Sequence, residues 1–126
     1  MKTINTADAP KVIGHYSQAI LAGNLIFTSG QIPIEPTTNL MVGSSITEQT
    51  VQVIKNLNAI LESAGASLDN VVKVNVYLDD LNDFDEMNRV YERYFINKPA
   101  RTTIQAGKLP KNAKIEMDVI AVLKPD

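Results

Sequence analysis

The stretch SITEQTVQVIKNLNAILESAG, Ser45–Gly65, decides how the rest of the chain must be arranged. Its apolar residues recur at helical spacing, which predicts an amphipathic helix. Ser45 and Glu48 form an S-x-x-E capping box at its start, and Gly65 suits the left-handed backbone that follows a helix. The predicted buried stripe consists of Ile46, Val53, Leu57, Ile60, Leu61 and Ala64.

The segment NVVKVNVYLDD, Asn70–Asp80, follows this helix closely. Its residues alternate between apolar and mixed positions, which predicts a strand. One predicted face carries Val72, Val74, Val76 and Leu78, and the other carries Val71, Lys73, Asn75 and Tyr77.

Before the helix, two short apolar runs flank Gly23 and Asn24, a pair suited to a two-residue hairpin turn. We therefore predict antiparallel strands at Ser17–Ala22 and Leu25–Ser29. The segment QIPIEPTTNLMVGSS, residues 31–45, contains prolines, a glycine and hydroxyl residues, which predict a loop.

After the predicted strand, a second amphipathic helix is predicted between Asn82 and Phe95, and Pro99 prevents its continuation. Two further strands are predicted at Arg101–Gln105 and Lys114–Val122, with a short extra strand near Lys2–Asn5. The predicted order is β-β-α-β-α-β-β, an α+β fold.

Both faces of the predicted last strand carry apolar residues, whereas two helices can cover only one face of a sheet. With no third helix available, another copy of the chain is the economical cover for the second face. The sequence therefore predicts a homo-oligomer whose sheet faces meet at its centre.

Length and composition limit the function classes. The chain has 126 residues, which predicts a single domain spanning residues 1–126. It has no cysteine and one histidine, His15, so thiolate zinc sites and multi-histidine metal sites are excluded. A net charge of −2 and a pI near 5.3 make nucleic acid an improbable partner. No secretory signal is recognisable, so a cytoplasmic location is expected.

Two charged residues stand out because strand interiors rarely carry unpaired charges. Arg101 begins one predicted strand, directly after Pro99 and Ala100, and Glu116 lies inside the last strand. Taken alone, Arg101 is typical of an ion pair at a subunit interface, and Glu116 of an exposed carboxylate or a salt bridge to Lys114.

Five segments resemble, in order, the signature blocks of the reactive intermediate deaminase family, also called the RidA or YjgF family. They are IGHYSQA, FTSGQIP, LNDFDEMNRVY, KPARTT and LPKNAKIEMDVIAV, which together extend from Ile13 to Val122. The resemblance implies a chorismate mutase-like fold with two helices on one face of a mixed sheet. It also implies a homotrimer with clefts between subunits, no cofactor, no metal and no membrane association.

The resemblance further implies hydrolysis of reactive imines and enamines, such as 2-aminoacrylate, to 2-ketoacids and ammonia. Arg101 is then the clamp for the substrate carboxylate, since a guanidinium matches a carboxylate bidentately. Glu116 is the candidate for activating water. The implied substrate-binding residues are Tyr16, Ser29, Gly30, Thr103 and Asn88. Two alternatives remain open: Tyr16 as a packed aromatic side chain, and Asn88 as a structural amide bonded to backbone.

Three residues depart from the family pattern. His15 replaces a common proline, and we expect it at the surface. Thr103 replaces a common cysteine, and Gln105 a common glutamate. Two other function classes stay open: a non-catalytic ketoacid-binding trimer, and an endoribonuclease or translation inhibitor, as some family members are described.

Overall fold

The computed structural model describes residues 1–124. Its helices are α1, Ile46–Ser63, and α2, Phe84–Tyr94. The eight strands are β1 Lys2–Ile4, β2 Ala19–Ala22, β3 Leu25–Thr28, β4 Ile34–Glu35, β5 Leu40–Met41, β6 Val71–Leu78, β7 Ala100–Gln105 and β8 Ile115–Val122.

Six of these strands form one mixed sheet in the order β1-β2-β3-β8-β6-β7. Neighbouring strands are antiparallel, except that β6 and β7 run parallel and are joined through α2. The predicted α+β class is thereby confirmed. The last two strands are not neighbours, because β8 lies between β3 and β6 while β7 forms an edge.

Both helices pack against one face of the sheet, where burial of apolar side chains stabilises the fold. The predicted stripe of α1 is buried apart from Ala64, and Thr50 and Asn56 are also buried. Their polar groups are paired: the Thr50 hydroxyl donates to the Ile46 carbonyl, and the Asn56 amide donates to the Ile34 carbonyl. The central core includes Ile26, Leu57, Val76, Met87, Ile115 and Met117.

The predicted cap of α1 is present in modified form. The Ser45 hydroxyl accepts from the Glu48 N–H at 3.1 Å and also lies 3.0 Å from the Glu48 carboxylate, to which it donates. The Glu48 side chain therefore binds the capping hydroxyl. Gly65 has a φ of +87°, as its position after the helix predicted.

The segment 31–45 is more ordered than the predicted loop, because β4 and β5 pair antiparallel within it. The turn between them is held by Glu35, whose carboxylate accepts from the Thr37 hydroxyl and from the N–H groups of Thr37 and Thr38. These hydrogen bonds, led by that of the Thr37 hydroxyl, lower the pKa of Glu35 to about 2.

The predicted side-chain orientation along β6 is wrong at its first two residues. A β-bulge shifts the register between Val71 and Lys73, which turns Val71 into the core at 5% exposure and leaves Val72 46% exposed. From Val74 onward the predicted alternation is confirmed.

The other face of the sheet has no covering helix among residues 1–124. Phe27 and Ile104, both on this open face, are 41% and 46% exposed, and Ile120 beside Phe27 is half-buried. None of the described helices is both long and apolar enough to span a membrane.

Candidate functional site

Arg101 lies on the edge strand β7 with its side chain on the helix-covered face, because it pairs in register with the buried Val74. One guanidinium nitrogen, Nη1, donates to Asn88 Oδ1 at 2.7 Å. The guanidinium carbon lies 4.6 Å from the Tyr91 ring centroid and 5.4 Å from that of Phe84. A hydrogen bond and two cation–π contacts therefore fix the orientation of the guanidinium.

A hollow of about 400 Å³ opens beside Arg101, and Asn88, Tyr91, Lys98 and Pro99 also line it. Arg101 and Lys98 place two positive charges on its wall against the one negative charge of Glu92, so the net charge favours an anion. We call Arg101, Asn88, Tyr91 and Thr103 the arginine cluster.

Two hydroxyl groups of the arginine cluster, Tyr91 Oη and Thr103 Oγ1, are buried without a hydrogen-bond partner among the described residues. Burial raises the pKa of Tyr91, although the positive charge of Arg101 acts in the opposite direction. The phenol therefore stays protonated at neutral pH and retains a proton to donate. Buried hydroxyls rarely lack partners.

Glu116 lies on the opposite, open face, since it pairs across the sheet with Tyr77 of β6. It is half-buried. Burial raises the pKa of this carboxyl, and the negative charge of Asp118 raises it further. Both causes make Glu116 a better proton acceptor than a solvated carboxylate.

Gly30 and the carboxylate of Glu116 are packed directly together. A Cβ added at residue 30 would overlap Glu116 Oε2 and lie 2.9 Å from Cδ. The following residue anchors the segment to β8, because Gln31 N–H donates to the Met117 carbonyl at 2.8 Å and the Met117 N–H donates back at 3.1 Å. A side chain at residue 30 would push the carboxylate aside, so glycine permits this close approach of backbone to carboxylate.

Ser29 and Tyr16 lie on the same side of the molecule as Gly30. The Ser29 hydroxyl donates to the Ser17 carbonyl at 2.6 Å, so its proton is committed to the protein and its oxygen is left to accept. Tyr16 is 55% exposed and, together with Gly30, Gln31 and Ile32, lines a hollow of about 320 Å³. We call Glu116, Gly30, Ser29 and Tyr16 the glutamate cluster.

The structure thus sorts the seven predicted site residues into two clusters on opposite faces of one sheet. Arg101, Asn88 and Thr103 lie in the arginine cluster, and Glu116 lies in the glutamate cluster. A single chain does not bring Arg101 and Glu116 together.

Asn88 and His15 can be compared directly with their predictions. The alternative in which the Asn88 amide bonds to backbone is wrong for its oxygen, which accepts from the Arg101 side chain. The half-buried Asn88 therefore orients the guanidinium from α2, four residues after Phe84. His15 is exposed, as predicted.

Sequence reasoning missed several residues around the two charges. Tyr91 and Phe84 pack on the apolar core from α2, and their rings also face the guanidinium. Asp118 and Tyr77 share a face with Glu116. The strand alternation carried the signal for Asp118, which stands two residues after Glu116.

Within residues 1–124, no group of three or more His, Cys, Asp or Glu side chains is arranged to hold a metal ion. The largest of the described hollows, about 570 Å³, lies beside the N-terminal segment and contains none of the predicted site residues. The buried Gln18 on its wall is already bonded to the carbonyls of Thr6 and Pro10.

Comparison with known proteins shows extensive similarity. The family model described as Endoribonuclease L-PSP matches residues 6–123. A RutC family protein of Pyrococcus abyssi is 58% identical over 121 residues, which cover 95% of each protein. The human protein named 2-iminobutanoate/2-iminopropanoate deaminase is 42% identical over 98% of this chain and 91% of its own length.

Solved structures agree with these relatives. The YjgF gene product of Escherichia coli superposes with a TM-score of 0.94 at 41% identity, covering 98% of this chain and 100% of its own. Escherichia coli TdcF with bound serine superposes with a TM-score of 0.92 at 38% identity, covering 97% and 98%.

Proposed function

This chain belongs to the reactive intermediate deaminase (RidA/YjgF) family, to which the matched Endoribonuclease L-PSP model corresponds, and on that premise we propose that it hydrolyses reactive imines. Its substrates would be 2-iminobutanoate, 2-iminopropanoate and the parent enamine 2-aminoacrylate, and its products 2-ketoacids and ammonia. The human and rat relatives named as deaminases support this activity. The observation that carries the proposal is the preoriented guanidinium of Arg101 beside an open hollow.

Arg101 would hold the substrate carboxylate. Asn88 occupies Nη1, so the remaining N–H groups of the guanidinium are left for a ligand. A charge-assisted hydrogen bond contributes about 1.5–3 kcal/mol, a large share of the affinity for a molecule with few atoms. The bound serine of TdcF, which also carries a carboxylate, supports this class of ligand.

Glu116 would move the proton of the attacking water. As the water oxygen bonds to the imine carbon, Glu116 takes a water proton and the C=N electron pair goes to nitrogen, which takes a proton from solvent. The carbinolamine then collapses: Glu116 returns its proton to the leaving nitrogen, the C–N bond breaks, and the hydroxyl proton passes to solvent as the carbonyl forms. General acid–base help of this kind is worth about 10²–10⁴ in rate.

The site would require two copies of the chain. Arg101 and Glu116 lie on opposite faces of the sheet, so a substrate of a few atoms reaches both only when Arg101 comes from one protomer and Glu116 from a neighbour. The apolar open face, which includes Phe27 and Ile104, supports an assembly of this kind. We propose a homotrimer with its sites between subunits.

The test generates 2-aminoacrylate from serine with a dehydratase, traps it with semicarbazide and follows its loss. We expect wild type to accelerate hydrolysis and Arg101→Ala to lower kcat/KM by about tenfold or more. Arg93→Ala, which removes an exposed arginine from α2, is the matched control and should match wild type.

Glu116→Gln distinguishes a catalyst from a binder. In a deaminase it should lower kcat by about 10²–10⁴ while 2-ketobutyrate binding, measured by calorimetry, is largely kept. If wild type leaves the hydrolysis rate unchanged and yet binds 2-ketobutyrate through Arg101, the chain is a ketoacid-binding trimer, the second candidate that serine-bound TdcF supports.

Ribonuclease activity is the weaker candidate, although the family model bears that description. The single histidine is exposed, so a histidine pair is unavailable, and the net charge of −2 does not favour RNA binding. The ranking of the candidate functions would be reversed by an RNA-cleaving activity that follows the protein through several columns and is lost in Arg101→Ala.

A further inference from the structure

The open face of the sheet carries a second carboxylate close to Glu116. Asp118 stands two residues further along β8, so the two side chains point to the same face about 6.6 Å apart along the strand. Both are half-buried. At this separation two half-buried negative charges repel each other.

Asp118 is held in place from the neighbouring strand. Asn75 pairs with Asp118 across the sheet, and its amide Nδ2 donates to Asp118 Oδ1 at 2.8 Å. Asn75 brings no charge, so the bond fixes the carboxylate without neutralising it. A carboxylate held by an amide rather than by a lysine or arginine keeps its full charge toward Glu116.

The elements of the same chain packed around Glu116 place no cation opposite it across the sheet and one cation, Lys114, two residues before it. On β6, Tyr77 stands directly opposite Glu116, and the one cation of that strand, Lys73, has its Nζ bonded to the Thr102 hydroxyl at 2.8 Å. On β7, Thr102 and Ile104 are uncharged, and the segment after β3 presents Gly30 and Gln31. On its own strand Glu116 is preceded, two residues earlier, by Lys114.

Tyr77 reports the same environment. Burial raises the pKa of its phenol, and the charges of Asp118 and Glu116 raise it further. Tyr77 therefore stays neutral beside Glu116 and does not compete with it as a base. The same surroundings, burial first and Asp118 second, raise the pKa of Glu116.

We propose that Asp118 is a positioning residue that acts through Glu116: fixed by Asn75, its negative charge makes Glu116 a stronger proton acceptor for the attacking water. The proposal rests on the proposed imine hydrolysis for its catalytic meaning. Its electrostatic part concerns only two side chains of this chain and is measured independently of activity.

The sign of the effect follows from like-charge repulsion. With Asp118 ionised, the charged form of Glu116 is disfavoured, so Glu116 binds its proton up to a higher pH. Asp118→Asn removes the charge while keeping an Oδ1 that accepts from Asn75. Glu116 should then titrate about one pH unit lower than in wild type.

The experiment records the side-chain carboxyl ¹³C shift of Glu116 against pH in wild type, Asp118→Asn and Asp118→Glu, with the resonance assigned from Glu116→Gln. In parallel, kcat/KM for 2-aminoacrylate hydrolysis is measured across the same pH range. Asp69→Asn, which removes an exposed carboxylate elsewhere, is the matched control.

We expect the Glu116 titration and the acid limb of kcat/KM to move together, about one pH unit lower, in Asp118→Asn. The plateau should also fall severalfold, because a weaker base accepts the water proton less well. Asp118→Glu and Asp69→Asn should both stay within a few tenths of a pH unit of wild type. If Asp118→Asn does not fold, Asp118→Ser removes the same charge and takes its place.

A Glu116 titration that is unchanged in Asp118→Asn, or that shifts equally in Asp69→Asn, overturns the proposal. A wild type without deaminase activity overturns the proposed function instead, and the ¹³C titration then decides by itself whether Asp118 acts on Glu116.

Discussion

Gly30 and Glu116 constrain each other through direct contact of backbone and carboxylate. Gly30→Ala should destabilise the fold by about 1–3 kcal/mol, because the new methyl group overlaps the carboxylate and Glu116 must move. The displaced carboxylate should also lower kcat for imine hydrolysis. Urea unfolding and the semicarbazide assay measure the two effects.

Gly107→Ala is the matched control for this change. A Cβ there meets no atom within 4 Å, so its stability should stay within about 1 kcal/mol of wild type. Equal free energies of unfolding for the two variants would show that Glu116 moves aside without cost.

At the scale of single residues, the chemistry of a side chain was easier to predict than the partners that it contacts. Arg101 taken alone indicated an ion pair at a subunit interface, and only the family resemblance, with the chemistry of the guanidinium, indicated a carboxylate clamp. Its contacts with Asn88 and Tyr91 were not predictable, because they depend on how α2 rotates over the edge strand. The contact of Gly30 with Glu116 joins residues 86 positions apart, and no local pattern encodes it.

Among the elements, α1 depends on its capping residue. Ser45→Ala removes the acceptor for the Glu48 N–H and should lower the free energy of unfolding by about 1 kcal/mol. Ser44→Ala, one residue earlier at an exposed position, should have little effect. Chemical denaturation of both variants checks this, and a Ser44 effect as large as that of Ser45 would place the cap elsewhere.

Periodicity predicted every long element, and it was wrong where an element is short or irregular. The strands β4 and β5 have two residues each, too few for alternation to show. The bulge at the start of β6 inverts Val71 and Val72 relative to a regular strand, because one extra residue turns a side chain to the other face.

For the whole molecule, the proposed trimer with sites shared between subunits predicts complementation. Arg101→Ala and Glu116→Gln should each be nearly inactive, yet trimers refolded from an equal mixture should regain about a quarter of wild-type activity, since half the arginine donors and half the glutamate donors are intact. Activity is measured before and after joint refolding, with each variant refolded alone as the control. An unchanged rate in the mixture would place both residues in one protomer's site.

The assembly was inferred from the sequence by counting layers: two helices and one sheet leave a face of β8 uncovered. The open face is present as expected, with Phe27 exposed beside Ile120. The number of copies cannot be derived from that pattern, because apolar exposure indicates that a partner exists without giving its symmetry.

The position of β8 at the centre of the sheet has a consequence for the order in which the protein is made. A ribosome releases β3 and β6 long before β8, the strand that joins them, and Leu25 finds its partner Val122 only after nearly the whole chain has emerged. Until then the facing edges of β3 and β6 are unpaired templates for other strands. The nascent chain therefore depends on rapid completion or on a chaperone, and messages that stall before codon 115 should yield aggregates rather than smaller folded proteins.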